Sequence, residues 1–408
     1  MSTPSQSIPT GIALSPLNEK FRATPYQILD EVRTLEPVHR DEEFKRIFLT
    51  SHDDVHQCLH DKSMWSDPRK AKPGTFASAQ VNPENPEEEP SMLLADDPLH
   101  RRLRGLINKA FTIKAVEAMR PQVRTLADSL LAEIDTEEFD LIQSFAAPLP
   151  TIVIAKMLGI DTEDYSKFKR WSDLSISASF RAPYSEEEIQ ISRQASKDLD
   201  NFFYQEVEAK RTQPTDGLIS AMIQVDEGGE RFTDQEIVRL LNLLLVAGNV
   251  TTTDLIGNGV RALLEHPEQL VKLRANPDLL KNAIEEMLRY DSPVMLTGRI
   301  APRDMEISGC PVHQGESLTT SLAGANHDPT IYENPHKFDI ERQDIHHHSF
   351  GGGRHFCLGA PLARVEAQEA ISALLRRYRL LEPSERGHVY HALIAFRGMT
   401  NYWVKGEG

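Results

Sequence analysis

The chain has 408 residues, 40% of them hydrophobic and 26% charged, so it can bury a large core. Its formal net charge of −16 argues against nucleic acid or an anionic membrane as a default partner. Its three cysteines lack any CxxC spacing, and no stretch approaches ~20 apolar residues, which argues against a disulfide scaffold, a thiolate zinc site and a membrane span and suits a cytoplasmic protein.

Residues 1 to about 25 read as an irregular lead-in rich in Ser, Pro and Thr. Arg46 to Ser51 predicts a short strand, and Asp53 to about His60 a helix. Lys70 to Pro90 is a proline-bearing loop with an acidic run, a pattern that usually marks solvated surface. Helical patterns then dominate: a basic amphipathic one over His100 to Ala110, then Lys114 to Ile134 and Leu149 to Leu158. Two further helices are expected between Glu163 and Lys210, joined at SASFRAPYSEEEI. Thr233 opens the clearest helix, because Thr233 and Glu236 form a T-x-x-E capping box and the apolar pattern runs on to about Glu265. About 30 residues at ~1.5 Å each make a rod of ~45 Å, so this apolar helix belongs at the centre of the fold. Strand signals are few: Val294 to Ile300, Glu316 to Leu322 and Thr400 to Val404. The expectation is one domain over residues 1–408, mainly α with small peripheral β-sheets.

The densest chemistry lies in Phe350-Gly351-Gly352-Gly353-Arg354-His355-Phe356-Cys357-Leu358-Gly359, followed by the helical pattern APLARVEAQEAISALLRRY. Glycines permit tight turns, and the helix N-terminus turns unpaired N–H groups and a positive dipole end toward the sulfur. Both effects are expected to lower the thiol pKa and hold a thiolate. A lone cysteine before a helix is more often a small buried side chain. A cysteine hydrolase pairing Cys357 with His355 is a second alternative, made awkward by two residues' separation on a tight loop. A phosphate loop is a third, but the GxxxxGK[ST] spacing is absent.

This ten-residue stretch resembles the haem-binding loop of the cytochrome P-450 family, F-G-x-G-x-H-x-C-x-G, with every fixed position filled. The resemblance extends from about Asp53 to Val404. It implies a P-450 fold with the long central helix over haem b, held by Cys357 as axial thiolate. Such a ligand pushes electron density toward bound oxygen and favours O–O cleavage. It also implies propionate contacts from His100 and Arg104, which match D-P-x-x-H-x-x-x-R, and from Arg299 and His355. Phe350, Gly351 and Gly359 belong to the same cofactor loop. Glu286-Met287-Leu288-Arg289 matches the family's E-x-x-R, with Arg342 as third member of a structural ion network. His346, His347 and His348 cannot all face one ion, and His347 matches a structural position.

Ala247-Gly248-Asn249-Val250-Thr251-Thr252 is similar to the family's oxygen-binding segment A-G-x-[DE]-T-T. Ala247 and Gly248 would open a groove over the haem, and Thr251 would hydrogen-bond dioxygen and help deliver protons. A helical threonine more often bonds back to its own backbone. Val250 replaces the usual carboxylate, so proton supply is expected to run near Thr251, Asn249 or Thr252, with Asp254 as a possible substitute. Slow cycling or peroxide leakage is the expected consequence.

The pocket wall is expected to include Phe76, Met92, Leu93, Leu94, Phe180, Leu243, Leu244, Ala247, Val250, Met295, Leu296 and Met399. Their apolar character points to a hydrophobic organic substrate. The resemblance implies monooxygenase activity driven by a separate ferredoxin and its reductase. Arg101, Arg102, Lys109, Arg354 and Arg364 form the expected docking patch. A peroxide-driven oxygenase, an isomerase and a non-catalytic haem protein are the alternatives.

Overall fold

The structure is a computed structural model that describes residues 8–160, 170–171, 174 and 186–408. The lead-in carries α1 (Glu19–Ala23), and α2 (Pro25–Leu35) follows it. Next come β1 (Val38–Asp41), β2 (Arg46–Leu49) and α3 (His52–His60), whose N-cap Ser51 accepts from the Asp54 N–H. β2 is the strand expected from Arg46. β1 (VHRD) carries too little apolar alternation to be read from sequence, and pairing with β2 creates it.

The helix expected over Lys114 to Ile134 is two: α5 (Ile113–Ala118) and α6 (Arg120–Ala132), after α4 (Leu99–Ala110). Pro121 explains the break, because it lacks an N–H and fits only the first turn of a new helix. β3 (Glu138–Asp140) and a π turn at Ile142–Ala146 precede α7 (Pro148–Leu158). α8 (Glu186–Thr212) is the second of the two helices expected up to Lys210; most of the joining segment, with Phe180, lies outside the described residues.

After α9 (Leu218–Gln224), α10 (Asp234–Glu265) is the central rod, with both hydrogen bonds of the Thr233–Glu236 capping box formed. It packs against α7, α8, α12 (Leu280–Tyr290) and α14 (Ala360–Arg377), with α11 (Pro267–Ala275) after it. α10 is long and apolar enough by composition to span a bilayer, but more than half of its most apolar stretch is buried in the fold. Most of the interior is one apolar cluster around it.

The sheets are peripheral. One has the order β1-β2-β7-β4, where β7 (Ser317–Ser321) runs parallel to β2 and antiparallel to β4 (Leu296–Ile300). β5 (Met305–Ile307) pairs β6 (Cys310–Val312), and α13 (Leu322–Ala325) follows β7. The third sheet is β3-β9-β8, from β8 (Leu380–Tyr390) and β9 (Met399–Glu407). The expected tail strand is therefore longer than Thr400 to Val404. β8 is masked in sequence by Pro383 and Gly387, where the register shifts.

Candidate functional site

The cysteine loop is held by its own backbone and by α3. The Cys357 N–H donates to the Phe350 carbonyl (3.0 Å), and the Gly351 N–H to that of His348 (2.7 Å). Gly351 and Gly353 have φ of +69° and +63°. A Cβ on Gly353 would lie 2.2 Å from the Leu59 carbonyl oxygen, so only glycine lets the loop meet the end of α3. Pro361 in its first turn starts α14 immediately after the loop.

Cys357 is enclosed by protein yet accessible on one side. Its thiol is nonetheless raised, a correction to the sequence-based expectation. Burial outweighs the Gly359 and Ala360 N–H groups and the Arg104 and Arg364 charges, all of which favour the thiolate. A thiolate here therefore needs a cation bound directly to sulfur.

The middle of α10 is also open on one side. Leu243, Leu244, Ala247, Gly248, Val250 and Thr251 keep accessible surface, while Leu241, Leu245, Asn249 and Thr252 are buried. A Cβ on Gly248 would meet nothing within 4 Å. Positions 243, 247 and 251, and 244 and 248, share a helix face, so the central helix keeps one accessible stripe beside its buried face. The Thr251 hydroxyl donates to the Ala247 carbonyl (2.7 Å), the back-bond common for a helical threonine.

Around the loop lie cations without counter-charges. Among the described residues, neither Arg104 on α4 nor Arg299 on β4 has a carboxylate partner; Arg299 donates to the Gly298 carbonyl (2.7 Å). The His100 and His355 rings are 4.2 Å apart, and His355 Nε2 is 3.1 Å from the Ser66 hydroxyl. Burial, with Arg299, His100, Arg354 and Arg104, pushes His355 down to about 2. Half-buried or buried guanidiniums left unpaired are costly and call for an anion.

The residues present therefore fit the group that the resemblance implies. Haem b would bring two carboxylates to Arg104, Arg299, His100 and His355, iron to Cys357, and a flat apolar body to the open stripe of α10.

Several expected residues are occupied elsewhere. Asn249 is buried, and its side-chain oxygen accepts from the Thr151 hydroxyl on α7 (2.7 Å), so it fastens two helices. Asp254 is buried and bonded to His391 Nε2 (3.0 Å), with burial raising its carboxyl; this turns it to the β8–β9 side rather than to the open stripe. Phe76 stacks on Phe44 (5.4 Å) and on the Arg46 guanidinium. Met295 is fully buried in the cluster with Phe21 and Leu29, and Met399 in the main core; Met92 and Leu296 are buried too. Leu93 and Leu94 stay accessible, as does the α10 stripe.

The ion network is complete. Arg289 grips Glu286 with two bonds of 2.7 and 2.8 Å, both side chains are fully buried, and Arg342 Nε adds contacts of 3.2 Å. Carbonyls of Asn326, Pro335 and Lys337 take up the remaining Arg289 N–H groups. Beside it stands a cluster that sequence reading missed. Glu285 accepts two bonds from Arg364 (2.7 and 2.8 Å) and one from His347 (3.1 Å), which hold its carboxyl down at about 2. The Arg364 guanidinium also covers the Phe350 ring at 4.5 Å.

Glu366 on α14 was missed as well. It is buried, its side chain is hydrogen-bonded to Thr252, and burial raises it to about 8. It is a neutral acid at pH 7 beside Thr252, in the stretch Ala247–Thr252. The available signal was a carboxylate between Val365 and Ala367, on the buried face of an amphipathic helix.

The basic patch is less positive than its sequence suggests. Arg101 and Arg354 share Asp97 (3.6 and 3.5 Å), Arg102 pairs with Glu236, Lys109 with Glu227 (3.4 Å) and Arg364 with Glu285.

Comparison with known proteins gives the same result throughout. Residues 47–390 match the cytochrome P-450 family model. The chain is 35% identical to the polyketide biosynthesis cytochrome P-450 PksS of Bacillus subtilis, over 90% of this chain and 91% of that protein. It is 36% identical to 6-deoxyerythronolide B hydroxylase of Saccharopolyspora erythraea, over 88% and 90%. Among solved structures, a Bacillus megaterium P-450 in complex with testosterone superposes with a TM-score of 0.84 at 34% identity, covering 94% of this chain and all of that one.

Proposed function

This chain belongs to the cytochrome P-450 family of monooxygenases, whose cofactor is haem b on a cysteine thiolate, and from that premise we propose that Cys357 is the ligand and that the enzyme hydroxylates a hydrophobic organic compound. The observation that carries the reading is the meeting of an enclosed, one-side-open Cys357, an accessible stripe on α10, and the unpaired Arg104 and Arg299. Haem b supplies the activation of dioxygen by two electrons, which no side chain can perform.

The chain's own residues do the rest. Arg104, Arg299, His100 and His355 orient the cofactor by its carboxylates. The Glu286–Arg289–Arg342 network holds α12 against the segment that enters the cysteine loop, and Glu285–Arg364–His347 fixes the base of α14. Leu93, Leu94, Leu243, Leu244, Ala247 and Val250 exclude water and favour an apolar substrate. The relatives that bind testosterone and hydroxylate 6-deoxyerythronolide B suggest a molecule of polycyclic or macrocyclic size.

Val250 cannot hold a proton, so the acid nearest this segment is Glu366, with Thr252 as its partner. We assign it as the proton reserve behind Thr251. Asn249 and Asp254 are left out of the relay, since their side chains are engaged elsewhere. Electrons are proposed to come from a small ferredoxin in the cytoplasm. Because each cation of the expected patch shares a carboxylate, the salt dependence of that reduction should be shallow rather than steep. Val250 also favours a second reading, turnover with peroxide, which needs no proton relay to activate oxygen.

The test is the carbon monoxide difference spectrum of the reduced protein. A thiolate-type Soret band in the wild type, absent in Cys357→His, is expected. An imidazole-type band in the wild type, or a protein that takes up no haem, rejects the assignment. Turnover with peroxide against a ferredoxin and its reductase separates the two modes.

A further inference from the structure

The Glu285 carboxylate takes no part in the buried network of its neighbour Glu286. Successive helical side chains point about 100° apart, so α12 sends one acid to Arg289 and Arg342 and the other to Arg364 on α14. Arg364 stands in the second turn of α14, and helical side chains lean toward the N-terminus, so its guanidinium returns to the cysteine loop. It lies 4.5 Å from the centre of the Phe350 ring, and the Phe350 carbonyl in turn accepts the Cys357 N–H (3.0 Å).

Glu285 holds the guanidinium there through two bonds of 2.7 and 2.8 Å, with both side chains partly buried. A fork of this kind fixes direction as well as distance. His347 completes the cluster without adding charge. Its Nδ1 accepts from the Ser349 N–H (3.2 Å), so Nε2 carries the proton and donates it to Glu285 (3.1 Å). One cation and one anion remain, and the cation is the member that covers the loop's aromatic ring. Burial raises the Cys357 thiol, and the Arg364 charge is among the influences that oppose it.

We propose, resting on Cys357 as the iron ligand assigned above, that Arg364 and Glu285 are a charge pair that sets the reduction potential of haem held by this loop. Arg364 raises the potential, and Glu285 is a positioning residue that aims the cation and offsets part of its charge. One-electron reduction adds a negative charge at the iron and breaks no bond, so a nearby cation favours it and a nearby anion opposes it. As a whole the pair is neutral, so it adds little to a docking patch. Its effect on the sulfur is not cancelled in the same way, because the two charges stand at different places around the loop. Packing alone would need no charge at these positions, whereas a potential responds to the sign of each.

The experiment is an anaerobic titration of haem-loaded protein with dithionite at fixed pH and ionic strength, preceded by the carbon monoxide spectrum of the reduced wild type. Glu285→Gln removes the anion, keeps an acceptor for Arg364 and should raise the potential. Arg364→Gln removes the cation, leaves the anion and should lower it. Each shift is expected to be about tenfold in the one-electron equilibrium, or about 59 mV. Arg364→Lys keeps the charge and should stay close to the wild type, and the double variant Glu285→Gln, Arg364→Gln should return toward it. Loosened packing would instead move both single variants the same way and add up in the double. Potentials that do not move, or that move in one direction in both single variants, overturn the proposal and leave the ligand assignment standing. If Arg364→Gln takes up no haem, the sign of the Glu285→Gln shift decides. A wild type without the thiolate-type band rejects the ligand assignment, and the charge pair with it.

Discussion

Replacing Glu366 with Gln tests whether α14 carries a neutral acid next to the proposed oxygen-binding segment. Burial raises this carboxyl from 4.5 to about 8, against the opposing pull of the Thr252 hydroxyl. The folded protein thus binds the proton more tightly than the unfolded chain does. The stability this contributes is fully present below pH of about 4.5 and is lost as pH rises to about 8. Across that window stability falls by up to about 1.4 kcal/mol per pH unit, or about 2–3 kcal/mol between pH 6 and pH 8. Gln has the same shape, can bond to Thr252 and cannot ionise, so the variant escapes this loss. An unfolding entropy of about 2.1 cal/mol/K per residue over 408 residues is about 0.86 kcal/mol/K, which converts the difference to about 3 °C. Thermal unfolding of haem-loaded wild type and Glu366→Gln, at matched scan rates from pH 6 to pH 9, should show the variant gaining that margin by pH 8 and holding it above. A margin that stays flat from pH 6 to pH 8 refutes the buried neutral acid. If the acid also supplies protons, coupled turnover of the variant should fall by about 10²-fold, the lower end for general acid catalysis.

Arg104→Ala and Arg299→Ala each remove a proposed charge-assisted partner of a haem carboxylate, worth about 1.5–3 kcal/mol, so haem transfer to a scavenger protein should become about 10- to 100-fold easier. Arg289→Ala leaves the fully buried Glu286 with the Asp339 N–H and the longer Arg342 contacts, and chemical denaturation should show a loss of about 3–5 kcal/mol. Val250→Asp restores an acid at the expected place in the oxygen-binding segment; less peroxide released per electron pair consumed is the expected result, and unchanged coupling would show that Val250 does not limit proton supply.

What could be read along the chain was whatever is encoded by short spacing. The turn-forming glycines and Cys357 sit within ten residues, the capping box within four, and Glu286 and Arg289 three apart, so local geometry alone brings them together. The central helix was legible for the same reason, because one long apolar run can only be buried. Pairs made by distant segments were not. Glu285 meets Arg364 across 79 residues, and Asp254 meets His391 across 137. Neither carboxylate is distinguishable in sequence from a solvated one. The basic patch misled for this reason: its residues are close neighbours in sequence or motif, while most of the carboxylates that neutralise them arrive from other elements.

By itself the sequence marked the loop of the proposed iron ligand, the central helix and the cations proposed to meet the cofactor's carboxylates, since each is a local pattern of residue type and spacing. Only the tertiary structure decided how those groups are charged. Burial raises the Cys357 thiol and the Glu366 carboxyl against the local dipoles and hydrogen bonds that favour their anions. Desolvation depends on what the rest of the chain packs around an atom, and that packing is a property of the fold rather than of any motif.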